Sequence, residues 1–187
     1  EELWENSSDV NIEKLEAFTK FVSRQSLTKF LARSEIFKNQ LEVNGSIVEV
    51  GVHRGTSFMT WAHLSSILEP VNYLRKIIGF DTFEGFSSIS DKDAMGTSEH
   101  LKVGGFDAGS NTHKELLDAV DVYDLNRLMG HINKCEIIKG DACLKIPDYL
   151  EQNPHTLVSL LHLDADLYDP TAVALEYFLP RMPKGAI

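Results

Sequence analysis

The sequence predicts a parallel α/β sheet with helices on both faces, and three observations lead there. Short apolar runs recur along the chain, each followed by residues patterned as a helix. The runs are apolar at successive rather than alternate positions, as strands covered on both faces are. The first run also passes into its helix through glycines, the joint expected between a buried strand and the helix that packs back on it.

Two helices open the chain. Ile12, Leu15, Phe18, Phe21 and Val22 recur at helical spacing over 12–23, and Leu27, Phe30, Leu31, Phe37 and Leu41 mark a second helix that follows Ser26 and is stopped by Asn44-Gly45. Ile47-Val48-Glu49-Val50-Gly51-Val52 is the first strand, His53-Arg54-Gly55 its turn, and Phe58, Trp61 and Leu68 lie on the next helix. Residues 76–81 form the second strand, and Thr112-x-x-Glu115 is a capping box for helices carrying Leu116, Leu117, Val120 and later Leu125, Leu128 and Met129. The third strand covers 135–139, with a short helix over 145–152, and the fourth covers 157–163. Asp169-Pro170 then supplies an N-cap and a first-turn proline to a helix through Ala174, Leu175 and Phe178. Pro183-Lys184-Gly185-Ala186-Ile187 reads as the turn into a fifth strand, so the domain is expected to be C-terminally incomplete. The organisation predicted is a helical segment over 1–44 and an α/β domain over 45–187. Within the latter, 82–111 carry five glycines and no periodicity, too long for an ordinary connection, and read as a lid.

Composition narrows the function. The chain has 18 Lys and Arg against 28 Asp and Glu, a net charge of -10, with the cations scattered, which argues against a nucleic-acid partner. No stretch approaches the roughly 20 apolar residues of a membrane span, and no basic leader precedes a hydrophobic run. Cys135 and Cys143 match neither a metal knuckle nor a redox motif, and are expected to be reduced thiols of a cytoplasmic protein. A homo-oligomer is compatible with all of this.

In an open parallel sheet, ligands bind beyond the carboxyl ends of the strands. The first strand ends in Glu49-x-Gly51-x-x-x-Gly55-Thr56-Ser57, where glycines let backbone approach a ligand and the helix N-terminus offers N–H groups to an anion. Read alone, that turn is also an ordinary tight joint. Asp81 ends the second strand, where a carboxylate can accept both hydroxyl hydrogens of a ribose; a helix N-cap is the plainer reading, against which Thr82-Phe83-Glu84-Gly85-Phe86 does not continue as a helix. After the third strand, Asp141 of Gly140-Asp141-Ala142 can accept from an adenine amine, or simply make a turn. Asp164 and Asp166 follow the apolar fourth strand, where unpaired charge at the mouth of a core favours function over decoration of a helix entrance. His162 within that strand reads as a hydrogen-bonded core residue, while His53 and His100 stand where they could meet a ligand without any metal-ligand spacing.

Three acids and a glycine turn at successive strand ends follow the class I methyltransferase order, a Rossmann-like fold. Val48-Glu49-Val50-Gly51-Val52-His53-Arg54-Gly55, Gly79-Phe80-Asp81-Thr82-Phe83-Glu84-Gly85-Phe86 and Leu163-Asp164-Ala165-Asp166-Leu167-Tyr168-Asp169-x-Thr171 together resemble the macrocin O-methyltransferase family, from about Leu31 onward. The resemblance implies transfer of methyl from S-adenosyl-L-methionine to a hydroxyl of a sugar or glycoside in antibiotic biosynthesis, assisted by Mg²⁺ or another divalent cation. It implies that Glu49, Gly51, Gly55, Thr56 and Ser57 hold the methionine end, Asp81 with Thr82 and Phe83 the ribose, and Asp141 with Ala142 the adenine. It further implies that Asp164 binds the metal and Asp166 is the catalytic base, with the remaining metal ligands expected after the fifth strand. Two alternatives are an NAD-dependent oxidoreductase, disfavoured because Gly51-x-x-x-Gly55 lacks the three-glycine fingerprint, and a non-catalytic cofactor-binding module.

Overall fold

The computed structural model describes residues 2–93 and 101–187. β1 (Ser46–Val50), β2 (Ile77–Asp81), β3 (Cys135–Lys139) and β4 (Val158–Leu163) form one parallel sheet in the order β3-β2-β1-β4. The chain winds outward from β1 to β3 and then returns to the other side of β1, which makes the β1/β4 boundary the topological switch point.

Alternation along the strands feeds two cores. Ile47 and Ile77 face a layer containing Phe37, Phe58, Trp61, Leu116 and Tyr123, whereas Val48 and Ile78 face Ile146, Leu150, Ala174 and Phe178. Two short helices, α1 (Glu2–Glu5) and α2 (Asn11–Glu16), open the chain; the first layer comes from α3 (Arg24–Asn39), α4 (Thr56–Leu68) and α5 (Thr112–Leu125), and the second from α6 (Ala142–Gln152) and α7 (Tyr168–Phe178). α3 packs along α4, which brings the N-terminal helices to the sheet.

Several helix boundaries differ from the sequence expectation, each for a local reason. The helix expected over 12–23 stops at Glu16 and is followed by a 3-10 turn over Phe18–Lys20. α3 begins earlier than Ser26, because Ser23 is the N-cap and accepts from the Ser26 amide at 3.1 Å. The expected Thr112-x-x-Glu115 capping box does not form: Thr112 lies inside α5 and its hydroxyl donates to the Ala108 carbonyl at 2.6 Å. α5 ends at Leu125, so Leu128 and Met129 fall in the following turn. α6 starts at Ala142 rather than near 145, and α7 starts at Tyr168, which puts Asp169 in the first turn instead of at the N-cap. Cys135 and Cys143 are both free thiols.

Two further features bear on the frame. Ile187 donates to the Ser159 carbonyl at 3.0 Å and accepts from Leu161 at 2.8 Å, the start of pairing along β4 that the Pro183–Ile187 turn predicted. At the opposite end of the strands from the cleft, buried Arg75 pairs with Glu69 and donates to the carbonyls of Leu41, Val43 and Gly45. That network ties the end of α3 to the entries of β1 and β2, and no periodicity in the sequence pointed to it. Among the described residues, no helix is long and apolar enough to cross a membrane.

Candidate active site

The site is built where β1, β2 and β4 end together. Beyond β1, the Gly51 amide donates to the Phe80 carbonyl at 2.9 Å, and the Asp164 amide donates to the Val50 carbonyl at 2.8 Å. The three chain segments therefore leave the sheet side by side. Gly51 has φ +93°, and a Cβ there would stand 2.2 Å from the Asp164 carbonyl oxygen, so only glycine allows this approach.

Asp81 fixes the turn that follows. Its Oδ2 accepts from the amides of Val52 and His53, both at 2.7 Å, and its Oδ1 accepts from the Phe83 amide at 2.6 Å. The carboxylate thus satisfies backbone on two loops while still lining the cleft. It holds His53 at φ 50° and Phe83 at φ 57°, left-handed conformations that side chains rarely adopt without such support. α4 then opens at Thr56 with no side-chain cap, so its first-turn amides have no side-chain acceptor, and Thr56 and Ser57 line the cleft.

The cleft has a volume of about 440 Å³, within the usual range for small-molecule sites. Of the residues singled out by sequence, Gly51, Thr56, Ser57, Asp81, Thr82, Ala142, Asp164 and Asp166 line it. Glu49, Gly55, Phe83 and Asp141 stand behind that wall. Glu49 is completely buried, accepts from the Ser57 hydroxyl, and has an Oε2 without a hydrogen-bond partner. Burial pushes its carboxyl above the usual range, opposed by His162. Gly55 is the left-handed N-cap of α4, and the Phe83 ring is buried against His113. Asp141 caps α6 by accepting from the Cys143 amide at 2.9 Å, and its other oxygen accepts from the Ser87 hydroxyl at 2.8 Å.

His162 pairs in register with Glu49, and its Nδ1 lies 3.6 Å from Glu49 Oε1. At that separation the contact is an ion pair longer than an ordinary hydrogen bond, and it still lowers the Glu49 carboxyl pKa against its burial. Asp164 and Asp166 emerge past β4 on exposed backbone, and Asp166 has φ 57°. Partial desolvation and then the neighbouring Asp164 carboxylate hold the Asp166 carboxyl above its ordinary range, with His53 acting in the opposite sense. Among the described residues, no group of three or more His, Cys, Asp or Glu is gathered to hold a metal ion.

Sequence reasoning looked to the N-terminal helices and the long loop for the rest of the pocket but singled out none of their residues. Ser26, Lys29 and Arg33 reach it from α3, and Phe86, Ser87, Gly105 and Phe106 reach it from the 82–111 loop. Both contributions depend on tertiary packing that no local motif announces. His53, given little weight beside the acids, sits in the wall. The described residues of the loop make several contacts. Phe86 and Gly105 share a hydrogen bond at 3.0 Å, Gly104 donates back to Phe86 at 2.9 Å, and Asp93 accepts from the first amide of α7 at 2.9 Å. His100 and its neighbours over 94–100 lie outside the described residues.

The comparisons with known proteins agree with this architecture. The model of the family described as macrocin-O-methyltransferase (TylF) matches residues 16–187. A crystal structure of CalS11, a calicheamicin methyltransferase, superposes with a TM-score of 0.92 at 33% identity, covering 99% of this chain and 72% of that one. The apo structure of CalS11, described as a TDP-rhamnose 3'-O-methyltransferase, gives 0.83 at 29% identity, covering 99% and 71%. The O-methyltransferase NovP shares the fold, with a TM-score of 0.56 at 19% identity over 82% of this chain and 60% of that one. No curated protein sequence matches. The chain belongs to the macrocin-O-methyltransferase family and, by that membership, is an S-adenosylmethionine-dependent O-methyltransferase.

Proposed function

We propose that this enzyme methylates a sugar hydroxyl, with the cofactor lying across the ends of β1, β2 and β3 and the acceptor meeting it beside Asp166. The observation that carries the reading is the convergence of Gly51, Asp81 and Asp166 on one cleft at the switch point. The sugar acceptor is supported by the sugar methyltransferase among the similar structures.

S-adenosylmethionine supplies the methyl group and its sulfonium leaving group. The chain's own residues hold it. The uncapped first turn of α4, at Thr56 and Ser57, suits the methionine carboxylate. The orphaned Oε2 of Glu49 lies beneath, suited to the ammonium directly or through water. Gly51 and Gly55 keep this turn open. Asp81 has accepted three amides and retains acceptor capacity on Oδ1 for a ribose hydroxyl, with Thr82 and Phe83 shaping that position. Asp141 and Ala142 border the adenine position. Residues 45–187 act as the cofactor-binding domain, and the helical 1–44 segment supplies the acceptor wall through α3.

Asp166 takes the acceptor proton. A carboxyl held above its ordinary range by partial desolvation and then by a neighbouring carboxylate is a stronger base than a free aspartate. Asp164 provides a hard oxygen donor for a divalent cation, most simply Mg²⁺, which keeps several waters and needs only one or two carboxylates from the protein. When bound, such a cation supplies Lewis-acid lowering of the hydroxyl's pKa and relieves the repulsion between the two acids.

Asp164→Asn and Asp166→Asn test the division of roles. Asp164→Asn is expected to lose metal affinity and activity together. Asp166→Asn is expected to bind S-adenosylhomocysteine and metal nearly as before while turnover falls by about 10² to 10⁴, part of it regained at higher pH. Equal loss of metal binding in both would make Asp166 a ligand, and full activity in chelator would remove the metal from the mechanism.

A further inference from the structure

Glu49 is a carboxylate sealed into an apolar run of β1. Val48 and Val50 flank it, and its own side chain is completely buried. Across the sheet its register partners are Gly79 on β2, which has no side chain, and His162 on β4. His162 Nδ1 lies 3.6 Å from Glu49 Oε1, and among the described residues this is the only ion pair that Glu49 makes. From α4, Ser57 donates its hydroxyl to the same Oε1, and the Trp61 ring packs edge-on against His162 at 5.6 Å. Arg33 of α3 bears on Glu49 through its charge.

Ser57 and His162 thus share one oxygen, and Oε2 has no partner. Among the described residues, four buried side-chain polar atoms lack a hydrogen bond, and three of them, Glu49 Oε2, His162 Nδ1 and Trp61 Nε1, belong to this cluster. A pair kept for packing alone would close on itself, because an unmet buried carboxylate oxygen costs more than an apolar side chain of similar size. Burial drives the Glu49 carboxyl toward its neutral form, and His162 opposes it. A quarter of the His162 side chain is exposed, so the ring can carry charge with one edge in water. Ser57 lines the cleft, so the pair lies one side chain beneath the position proposed for the methionine end.

We propose that His162 is a positioning residue for the methyl donor: by pairing with Oε1 across β1 and β4, it holds the Glu49 carboxylate so that Oε2 receives the cofactor's ammonium. This rests on the reading of the cleft as an S-adenosylmethionine site. Without His162, Ser57 alone fixes the carboxyl group, and burial returns it to the neutral acid, which binds an ammonium weakly. His162 acts through Glu49, so the ribose and adenine positions at Asp81 and Asp141 do not depend on it.

The test is calorimetry with two ligands, S-adenosylhomocysteine and 5'-methylthioadenosine, which lacks the amino-acid end. His162→Phe is expected to weaken S-adenosylhomocysteine about tenfold, the loss of one charge-assisted contact, and to leave methylthioadenosine within about twofold. In the Glu49→Gln background, which holds no buried charge at this position, adding His162→Phe is expected to change S-adenosylhomocysteine affinity by less than about twofold. That comparison stands even where the single His162→Phe chain does not fold. Unchanged S-adenosylhomocysteine affinity in His162→Phe, equal weakening of both ligands, or a further loss of about tenfold in the Glu49→Gln background overturns the proposal and leaves the methyltransferase reading intact. Failure of the parent protein to bind S-adenosylhomocysteine would instead strike the methyltransferase reading, a separate result seen before any substitution is made.

Discussion

Replacing Gly51 with alanine tests whether the meeting of β1 and β4 shapes the cleft. A Cβ at this position, where φ is +93°, would stand 2.2 Å from the Asp164 carbonyl oxygen and 2.5 Å from its carbonyl carbon. Both are backbone atoms, and the Asp164 amide is held to Val50 at 2.8 Å, so no rotamer change relieves the clash. Backbone strain of this kind costs about 1–3 kcal/mol. Forcing packed backbone apart adds about 1–3 kcal/mol. Taken near the middle, the loss is about 4 kcal/mol, and at about 3 °C per kcal/mol for a chain of this size the melting temperature falls by about 12 °C. Gly104 is the control: its φ is +76°, yet a Cβ there meets nothing within 4 Å. Gly104→Ala therefore carries strain alone, about 1–2 kcal/mol, and a fall of about 3–6 °C. Thermal unfolding by circular dichroism reads both. Calorimetry at a temperature where each variant is folded should show Gly51→Ala losing at least tenfold in S-adenosylhomocysteine affinity and Gly104→Ala losing little. Equal melting shifts in the two variants, or undiminished affinity in Gly51→Ala, would refute the reasoning.

Asp81→Ala removes the acceptor of three backbone amides and is expected to cost about 1.5–3 kcal/mol of stability as well as cofactor affinity; a variant that melts like the parent would show that the turn does not depend on this carboxylate. Glu49→Gln should raise stability at neutral pH. Burial places the folded-state pKa of Glu49 above its unfolded value, so its contribution is present below the ordinary carboxylate pKa of about 4.3 and is lost as pH rises through the folded value. The amide keeps an oxygen for Ser57 without a buried charge. The melting difference between Glu49→Gln and the parent should be near zero at about pH 4 and grow toward about pH 8; a difference independent of pH would contradict the assignment.

The strands were legible in the sequence because burial on both faces leaves an unbroken apolar run: β2, β3 and β4 lie within one residue of the expected bounds, and β1 ends at Val50, two residues before the expected Val52. Helix starts were less legible. Capping is decided by which short polar side chain reaches which amide, and the sequence offered neighbours: Ser23 beside Ser26, and Asn111 beside Thr112. In the loop over 82–111, five glycines without periodicity supported the reading of a lid. Gly85 and Gly104 instead have φ of +77° and +76°, and the flanking Phe86–Gly105 pairing closes the loop at its base. Composition cannot separate a glycine that loosens a chain from one that lets it turn tightly.

The acids of the site show where local reading ends. Their positions at strand ends follow from topology, which strand-helix alternation reveals, but their states follow from contacts made across the sheet. Asp81 is turned inward by amides from the neighbouring loop, Glu49 is sealed against Ser57 and His162, and Asp141 is used in capping α6. Only Asp164 and Asp166 remain exposed beyond β4. On a regular strand those two would share a face. The left-handed conformation of Asp166, φ 57°, breaks that alternation two residues before α7 begins at Tyr168, so spacing alone could not have oriented its carboxyl. Aspartate enters this region more readily than most side chains, at a modest cost. A left-handed acid at the cleft, its carboxyl raised by partial desolvation and then by a second acid, is the arrangement on which the proposed base rests, and it arises from the turn rather than from spacing.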